Sequence, residues 1–429
     1  MALPSLRLSC SGWTSRLSLT VTRHRNAKNR FLPLACHRCY TAAPATDAAM
    51  TDDLPPSPAL LPAGLRDLLP PDADTEAAAV EALMAAFAAH GYQRVKPPLL
   101  EFEDGLLAGT GAAVSEQTFR LMDPDTHRMM GVRADITPQV ARIATTRLAG
   151  APRPLRLSYA GQCLRVRGTQ LAPERQVAQA GIELIGPDSP AADAEMVLVA
   201  AEALSVLGLT RLSFDLTMPP LVERLIDEAG IEPAHRGPLA RALDRKDAAA
   251  VGTHGGPIAA TLKELLLSAG AADGALAALA AATLPPETRA LADRLAATVA
   301  AIRARAANLK LTVDPVEFRG FRYHTGVCVT VYAPGRHEEL GRGGRYLCGG
   351  TEPATGLTLF PEAVLRAAPP RAPRPRAYVP AGLDGAGVRA QGFATVAGLE
   401  PVPDATAEAR RLDCTHLVTA AGLVAVGGE

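Results

Sequence analysis

Residues 219–308 constrain the fold more than any other stretch of this sequence. The block is rich in alanine and leucine, reads as nearly all helix, and breaks at Gly255-Gly256-Pro257 and Pro285-Pro286. Strand-like segments lie on both sides of it: Met129–Arg133, Leu155–Tyr159, Val177–Ile185 and Leu212–Thr217 before, Gly326–Tyr332 after. Strands interrupted by one helical block predict an α+β fold with a mainly antiparallel sheet, rather than a doubly wound parallel one. The expected division is a sheet domain over 58–218 and 309–368, a helical insertion over 219–308, a Pro/Arg linker over 369–376 ("AAPPRAPRPRAYVP") and a small C-terminal α/β segment over 377–429.

A helix is predicted from Glu76 to His90, capped by Asp74 or Thr75, with Val80, Leu83, Met84 and Phe87 on one face and Gly91 ending it. The first 49 residues differ in kind. Of the chain's 44 basic and 44 acidic residues the leader holds seven and one, so 37 and 43 remain for the rest. An Arg- and Ser-rich, acid-poor leader resembles an organelle transit peptide; the alternative, preferred here, is an upstream start with Met50 as the true beginning. No apolar run is long enough to cross a bilayer. Seven cysteines without a paired framework place the chain in a reducing cytoplasm. Cys36-His-Arg-Cys39 lacks a second ligand pair, and no metal or other cofactor is expected. Neither a Gly-x-Gly-x-x-Gly after a strand nor a Gly-Lys-Ser/Thr occurs. "GRGGRYLCGG" (341–350) is read as a turn that lets backbone approach a ligand.

Three segments carry candidate chemistry. Strand alternation puts Gln179, Gly181 and Glu183 on one face, a polar acceptor surface with a gap in its middle. In "VRADITPQVAR", Arg133, Asp135 and Thr137 alternate, and a carboxylate such as Asp135 needs an arginine or a cationic ligand group once buried. "EFRGFRYHTGVCVTVY" places Arg319 before a strand, with Tyr323 and His324 beside it. Carboxylates for an amine, an arginine for a carboxylate and a tyrosine or glutamine for a polar side chain together fit a small zwitterion.

With "PAGLRDLLP", "GYQRVKPPLLEFED", "VRADITPQVAR", the hairpin "GQCLRVRGTQLAPERQVAQAGIELIG", "RGFRYHTG" and "GGRY", the stretch from Leu61 to Arg366 resembles the catalytic domain of histidyl-tRNA synthetases. The resemblance implies a class II aminoacyl-tRNA synthetase-like antiparallel sheet flanked by helices. It also implies that Asp135, Thr137, Gln179 and Glu183 contact the histidine amine and its neighbours. Arg165 matches the hairpin arginine that holds the α-phosphate and carboxylate, and Arg319 the arginine that promotes adenylate formation. Tyr323 and His324 fall in the stretch lining the imidazole pocket. Arg165 has an alternative role, pairing with Glu183 or Asp135, as Arg319 has as an ion-pair residue and His324 as a packed, hydrogen-bonded residue.

The departures cluster on ATP. The adenine-reading glutamate is Arg167 and the next arginine Gly168; the loop's Gly-Arg pair is Ala172-Pro173; the third-motif arginine is Ala363. Arg322 and Leu347 stand where acids are expected. Two lost arginine–phosphate contacts, at about 1.5–3 kcal/mol each, weaken ATP binding by about two to four orders of magnitude. The chain after the linker is too short for the anticodon-binding domain of such synthetases, and the core is mildly acidic, so no tRNA is expected. A synthetase-like chain stripped of its ATP groups resembles the regulatory-subunit family of ATP phosphoribosyltransferase. That resemblance implies a non-catalytic partner of the short-form catalytic subunit in the first step of histidine biosynthesis, a dimeric core, histidine as effector and no membrane association. The alternatives are a divergent histidyl-tRNA synthetase or histidine-activating ligase, and a free-standing histidine sensor.

Overall fold

The computed structural model describes residues 59–168, 172–317 and 323–427. The leader (1–49) and Arg319 lie outside the described residues. The elements below belong to the unit Leu61–Glu429. Its centre is a sheet of nine strands among the described residues, ordered Gln93–Arg94, Leu155–Leu164, Gln176–Ile185, Glu352–Leu359, Glu339–Cys348, His324–Tyr332, Ser213–Thr217, Lys310–Asp314 and Gly270–Ala271. Neighbours run antiparallel from Leu155–Leu164 through to Ser213–Thr217 and parallel at the two pairs flanking that run. This is the α+β architecture expected from the order of elements.

The strand Gln176–Ile185 shows how the layers form. Ala180 and Ile182 face one side and join Leu357, Leu359, Val327 and Val329 under the helices Asp72–Ala89 and Pro190–Val206. Gln179, Gly181 and Glu183 face the other side, which the helix Thr137–Thr145 covers with Ile136, Val140 and Ala144. Period-two alternation therefore separates an apolar layer from a polar one within a single strand that is buried from Ala178 onward. The polar face looks into protein, not solvent.

Helix Asp72–Ala89 starts four residues earlier than predicted. Pro71 precedes it, Asp72 and Asp74 sit in the first turn where the helix dipole favours acids, and the Thr75 hydroxyl donates to the Pro71 carbonyl instead of capping. Gly91, at φ +81, ends it in the left-handed region as expected. "GRGGRYLC" is not a turn. It forms the strand Glu339–Cys348 at the middle of the sheet, where a Cβ on Gly343 would stand 2.0 Å from the Gly356 carbonyl oxygen. Glycine serves there to let two strands approach, and its low strand propensity hid the element.

Residues 219–305 fold into the helices Pro219–Glu228, Pro233–Asp244, Ala248–His254, Ala259–Ser268, Ala272–Ala281 and Pro286–Arg305, with breaks at the predicted glycines and prolines. Leu239, Leu243, Leu262, Leu265 and Leu279 belong to the same apolar cluster as Phe214 and Leu216 of the sheet, so the helical block shares the sheet's core. After irregular residues 369–375, the strands Arg376–Val379, Ala394–Ala397, His416–Thr419 and Gly422–Ala425 make a separate sheet with its own small clusters around Val379 and Tyr378.

Candidate ligand-binding site

The hairpin Leu155–Leu164/Gln176–Ile185 pairs Tyr159 with Gly181 and Leu157 with Glu183. The gap predicted at Gly181 is not empty: the Tyr159 ring lies over it, and a Cβ on Gly181 would stand 2.5 Å from that ring. The Tyr159 hydroxyl is 3.1 Å from Thr137 Oγ1 and 2.7 Å from Thr358 Oγ1, and it donates to Glu183 Oε1 at 3.3 Å. Tyr346 donates to Glu183 Oε2 at 2.8 Å. Thr137, Glu183, Tyr323, His324, Tyr346 and Thr358 border a cavity of about 20 Å³, room for roughly one water molecule. Tyr323 stacks on His324 with ring centroids 4.1 Å apart and meets the Tyr346 ring edge-on at 6.2 Å.

Of the residues proposed from sequence, the fold thus brings Thr137, Glu183, Tyr323 and His324 to one cavity. Gln179 serves just behind it: its Oε1 accepts the Ile136 backbone N–H at 3.1 Å and the Cys163 thiol at 3.3 Å, fixing the start of helix Thr137–Thr145. Asp135 Oδ1 accepts the Thr137 N–H at 2.9 Å. Arg165 forms no ion pair with Glu183 or Asp135, and its buried Nε has no hydrogen-bond partner among the described residues. Arg133 is structural, donating to the carbonyls of Gln162 and Pro97 at 2.8 and 3.0 Å. Sequence reasoning missed Tyr159, Tyr346 and Thr358. The available signal was Gly181 itself, since a glycine opposite a tyrosine in a buried strand pair marks where the ring must fold over.

Burial pushes the Glu183 carboxyl up to about 8, although the Tyr346 hydroxyl opposes the shift by donating to it. A carboxyl raised in the folded state favours folding while protonated. Its contribution is complete below the ordinary carboxyl value and is lost as pH rises through about 8. Glu183→Gln is expected to flatten stability between about pH 5 and pH 8, measured as urea midpoints at successive pH values.

The positions matching the ATP groups have other surroundings. Ala363 is buried and presents only a methyl group. Its neighbour Glu362 pairs with Arg66 at 3.5 Å. A Cβ on Gly168 would stand 2.4 Å from the Pro173 carbonyl oxygen, so the hairpin arms close tightly on each other. A larger cavity of about 770 Å³, lined in part by that Arg66–Glu362 pair, lies between helix Asp72–Ala89, Val206–Gly208 and Leu365–Arg371. Its acids and arginines are mixed and Arg66 and Arg366 are already paired, whereas the polar groups of the smaller cavity converge.

Among the described residues no cluster of His, Cys, Asp or Glu could hold a metal ion, and no helix is long and apolar enough to cross a membrane. Cys163, Cys328, Cys348 and Cys414 are free and buried.

A mainly antiparallel sheet of nine strands among the described residues, flanked by helices, is a class II synthetase-like arrangement, and the histidyl-tRNA synthetase family matches residues 64–364. A Bacillus halodurans structure described as an ATP phosphoribosyltransferase regulatory subunit/histidyl-tRNA synthetase superposes with TM-score 0.70 at 23% identity, covering 82% of this chain and 96% of that one. Histidyl-tRNA synthetase from a Nostoc species gives TM-score 0.70 at 16% identity, covering 84% and 91%. These two establish the fold alone. Sequence relatives go further: the ATP phosphoribosyltransferase regulatory subunit of Gluconobacter oxydans is 57% identical over 365 residues, 84% of this chain and 96% of that protein. That of Paramagnetospirillum magneticum is 55% identical over 371 residues, 86% and 98%. The chain belongs to the ATP phosphoribosyltransferase regulatory subunit family.

Proposed function

We propose that this protein is the non-catalytic regulatory subunit of ATP phosphoribosyltransferase, required for the first step of histidine biosynthesis in the cytoplasm and carrying feedback by histidine. The observation that carries the reading is identity of 57% spanning 96% of a relative so named. The pocket supports the histidine part. Glu183 and Thr137, with Asp135 close by, suit an ammonium group, and Tyr323 beside His324 offers a polar aromatic wall for an imidazole. The cavity widens from its one-water volume to admit them; Arg165, outside that lining, is the proposed partner of the carboxylate. With alanine at 363 and proline at 173, the residues expected to grip ATP phosphates are missing, which supports loss of adenylation. The mechanism is linkage: histidine favours one state of the assembly, and the short-form catalytic subunit works differently in the two.

The test is co-purification with that catalytic subunit from the same cell, followed by assay of phosphoribosyl transfer with and without this chain and with histidine. Stimulation by the chain and inhibition by histidine are expected. Histidine-dependent pyrophosphate exchange by the chain alone would instead identify a divergent histidyl-tRNA synthetase or histidine-activating ligase.

A dimeric core is part of the proposal. Leu100 and Met122 are exposed on the three-stranded sheet Leu100–Phe102, Met129–Val132, Phe119–Met122. The register puts Leu100 with the exposed Leu121 on one face of that sheet and Met122 with the exposed Met129 on the other, so both faces carry exposed apolar side chains. Glu101 of that sheet is held by Gln139 Nε2 at 2.9 Å and by both Arg142 Nε and Nη2, tying the apolar surface to the helix that starts at Thr137. Leu121→Lys combined with Met122→Lys is expected to shift the sedimenting species from dimer toward monomer by analytical ultracentrifugation.

A further inference from the structure

Glu183 is a carboxyl group sealed among hydroxyls. Its two oxygens meet Tyr346 at 2.8 Å and Tyr159 at 3.3 Å, and Gly356 backs it so closely that a Cβ there would stand 1.8 Å from Oε2. Among the described residues it has no cationic partner within ion-pair distance. The groups that feel or border it are Asp135 ahead of helix Thr137–Thr145, Tyr92 after helix Asp72–Ala89, Tyr159 on the hairpin, Tyr323 and His324, and Arg342, Tyr346 and Cys348 on strand Glu339–Cys348. A lone negative charge in such surroundings is cut off from bulk water and has no counter-ion within ion-pair distance among the described residues, so the free pocket keeps its proton at neutral pH. The Asp135 carboxylate works in the same direction.

An amino acid arrives with an ammonium group, and a neutral carboxyl cannot pair with it. We propose that docking of the ligand's ammonium group on Glu183 expels the Glu183 carboxyl proton to solvent, so that effector binding strengthens as pH rises. The inference rests on the histidine reading above and adds its regulation. The balance is simple: the carboxylic acid and the ligand's ammonium become a carboxylate–ammonium pair, and the released proton goes to a solvent base. The Tyr346 and Tyr159 hydroxyls, already aimed at the two oxygens, remain as donors to the carboxylate. With a carboxyl that titrates near 8, apparent histidine affinity increases about fivefold from pH 7 to pH 8 and levels off above that.

The experiment is calorimetric titration of the full chain with L-histidine at pH 7, repeated in phosphate and in Tris, whose different ionisation heats report proton transfer. Close to one proton released per site is expected, falling toward zero by about pH 9. Infrared difference spectra assign the proton. A protonated-carboxyl band present in the free protein should vanish on adding histidine, and the free Glu183→Gln variant should lack it. Histidine binding without proton release, or with that band unchanged, overturns the coupling and leaves the histidine reading intact. No histidine binding at any pH overturns both.

Discussion

Asp193→Ala is expected to cost about 3–5 kcal/mol of stability, read as a drop in urea midpoint, because it leaves a buried arginine without its partner. Asp193 is fully buried in the first turn of helix Pro190–Val206. It accepts from Arg345 at 2.6 Å (Nη2) and 2.9 Å (Nε), and from Arg294 at 3.3 Å. Arg345 is itself buried and also donates to the carbonyl of Pro187 at 3.1 Å. Its other carboxylate contact, Asp188 at 3.3 Å, is half in solvent and replaces little of the loss. The pair need not be worth much in absolute terms, since desolvating two ions offsets most of their attraction. Replacing both, as Asp193→Leu with Arg345→Met, is therefore expected to recover most of the loss, and additive losses in that cycle would refute the account. Arg345 precedes Tyr346 in the strand, so Asp193→Ala is also expected to loosen the pocket and weaken histidine binding in the calorimeter.

Gly356→Ala is expected to abolish histidine binding, with affinity down at least about a hundredfold, and to destabilise the fold by about 1–3 kcal/mol. The added methyl would meet Glu183 Oε2 at 1.8 Å and the Ile182 carbonyl oxygen at 2.8 Å. Glu183 has no room to retreat, held as it is by Tyr346 and Tyr159. Gly274→Ala is the matched control. It lies exposed in helix Ala272–Ala281 with open space where its Cβ would go, and is expected to stabilise by about 0.5–1 kcal/mol through helix propensity alone. Calorimetry and denaturant melts on both variants check the contrast.

Much of the fold was legible because it rests on local periodicity. Leu83, Met84 and Phe87 marked the buried face of the first helix, Gly91 its end, and alternation along 177–185 the two faces of a central strand. Gly255–Pro257 and Pro285–Pro286 broke the helical block where the sequence said they would. The strand Glu339–Cys348 was not legible, because glycines needed for close packing in the sheet look the same in sequence as glycines needed for a turn.

The sequence by itself determined the α+β class, the helical block within it, the family, and the segments that supply the pocket. Each of these is written in periodicity or in residues at fixed spacing along one stretch of chain. Only the tertiary structure decided how those segments meet. Glu183 and Tyr346, 163 residues apart, share a hydrogen bond. Arg345 of a motif expected near the ligand is instead sealed against Asp193, 152 residues away, and Tyr159 fills the gap over Gly181. Whether a carboxyl is buried, and whether a cation reaches it, depends on contacts between distant strands, so the protonation of Glu183 follows from packing that no local pattern encodes.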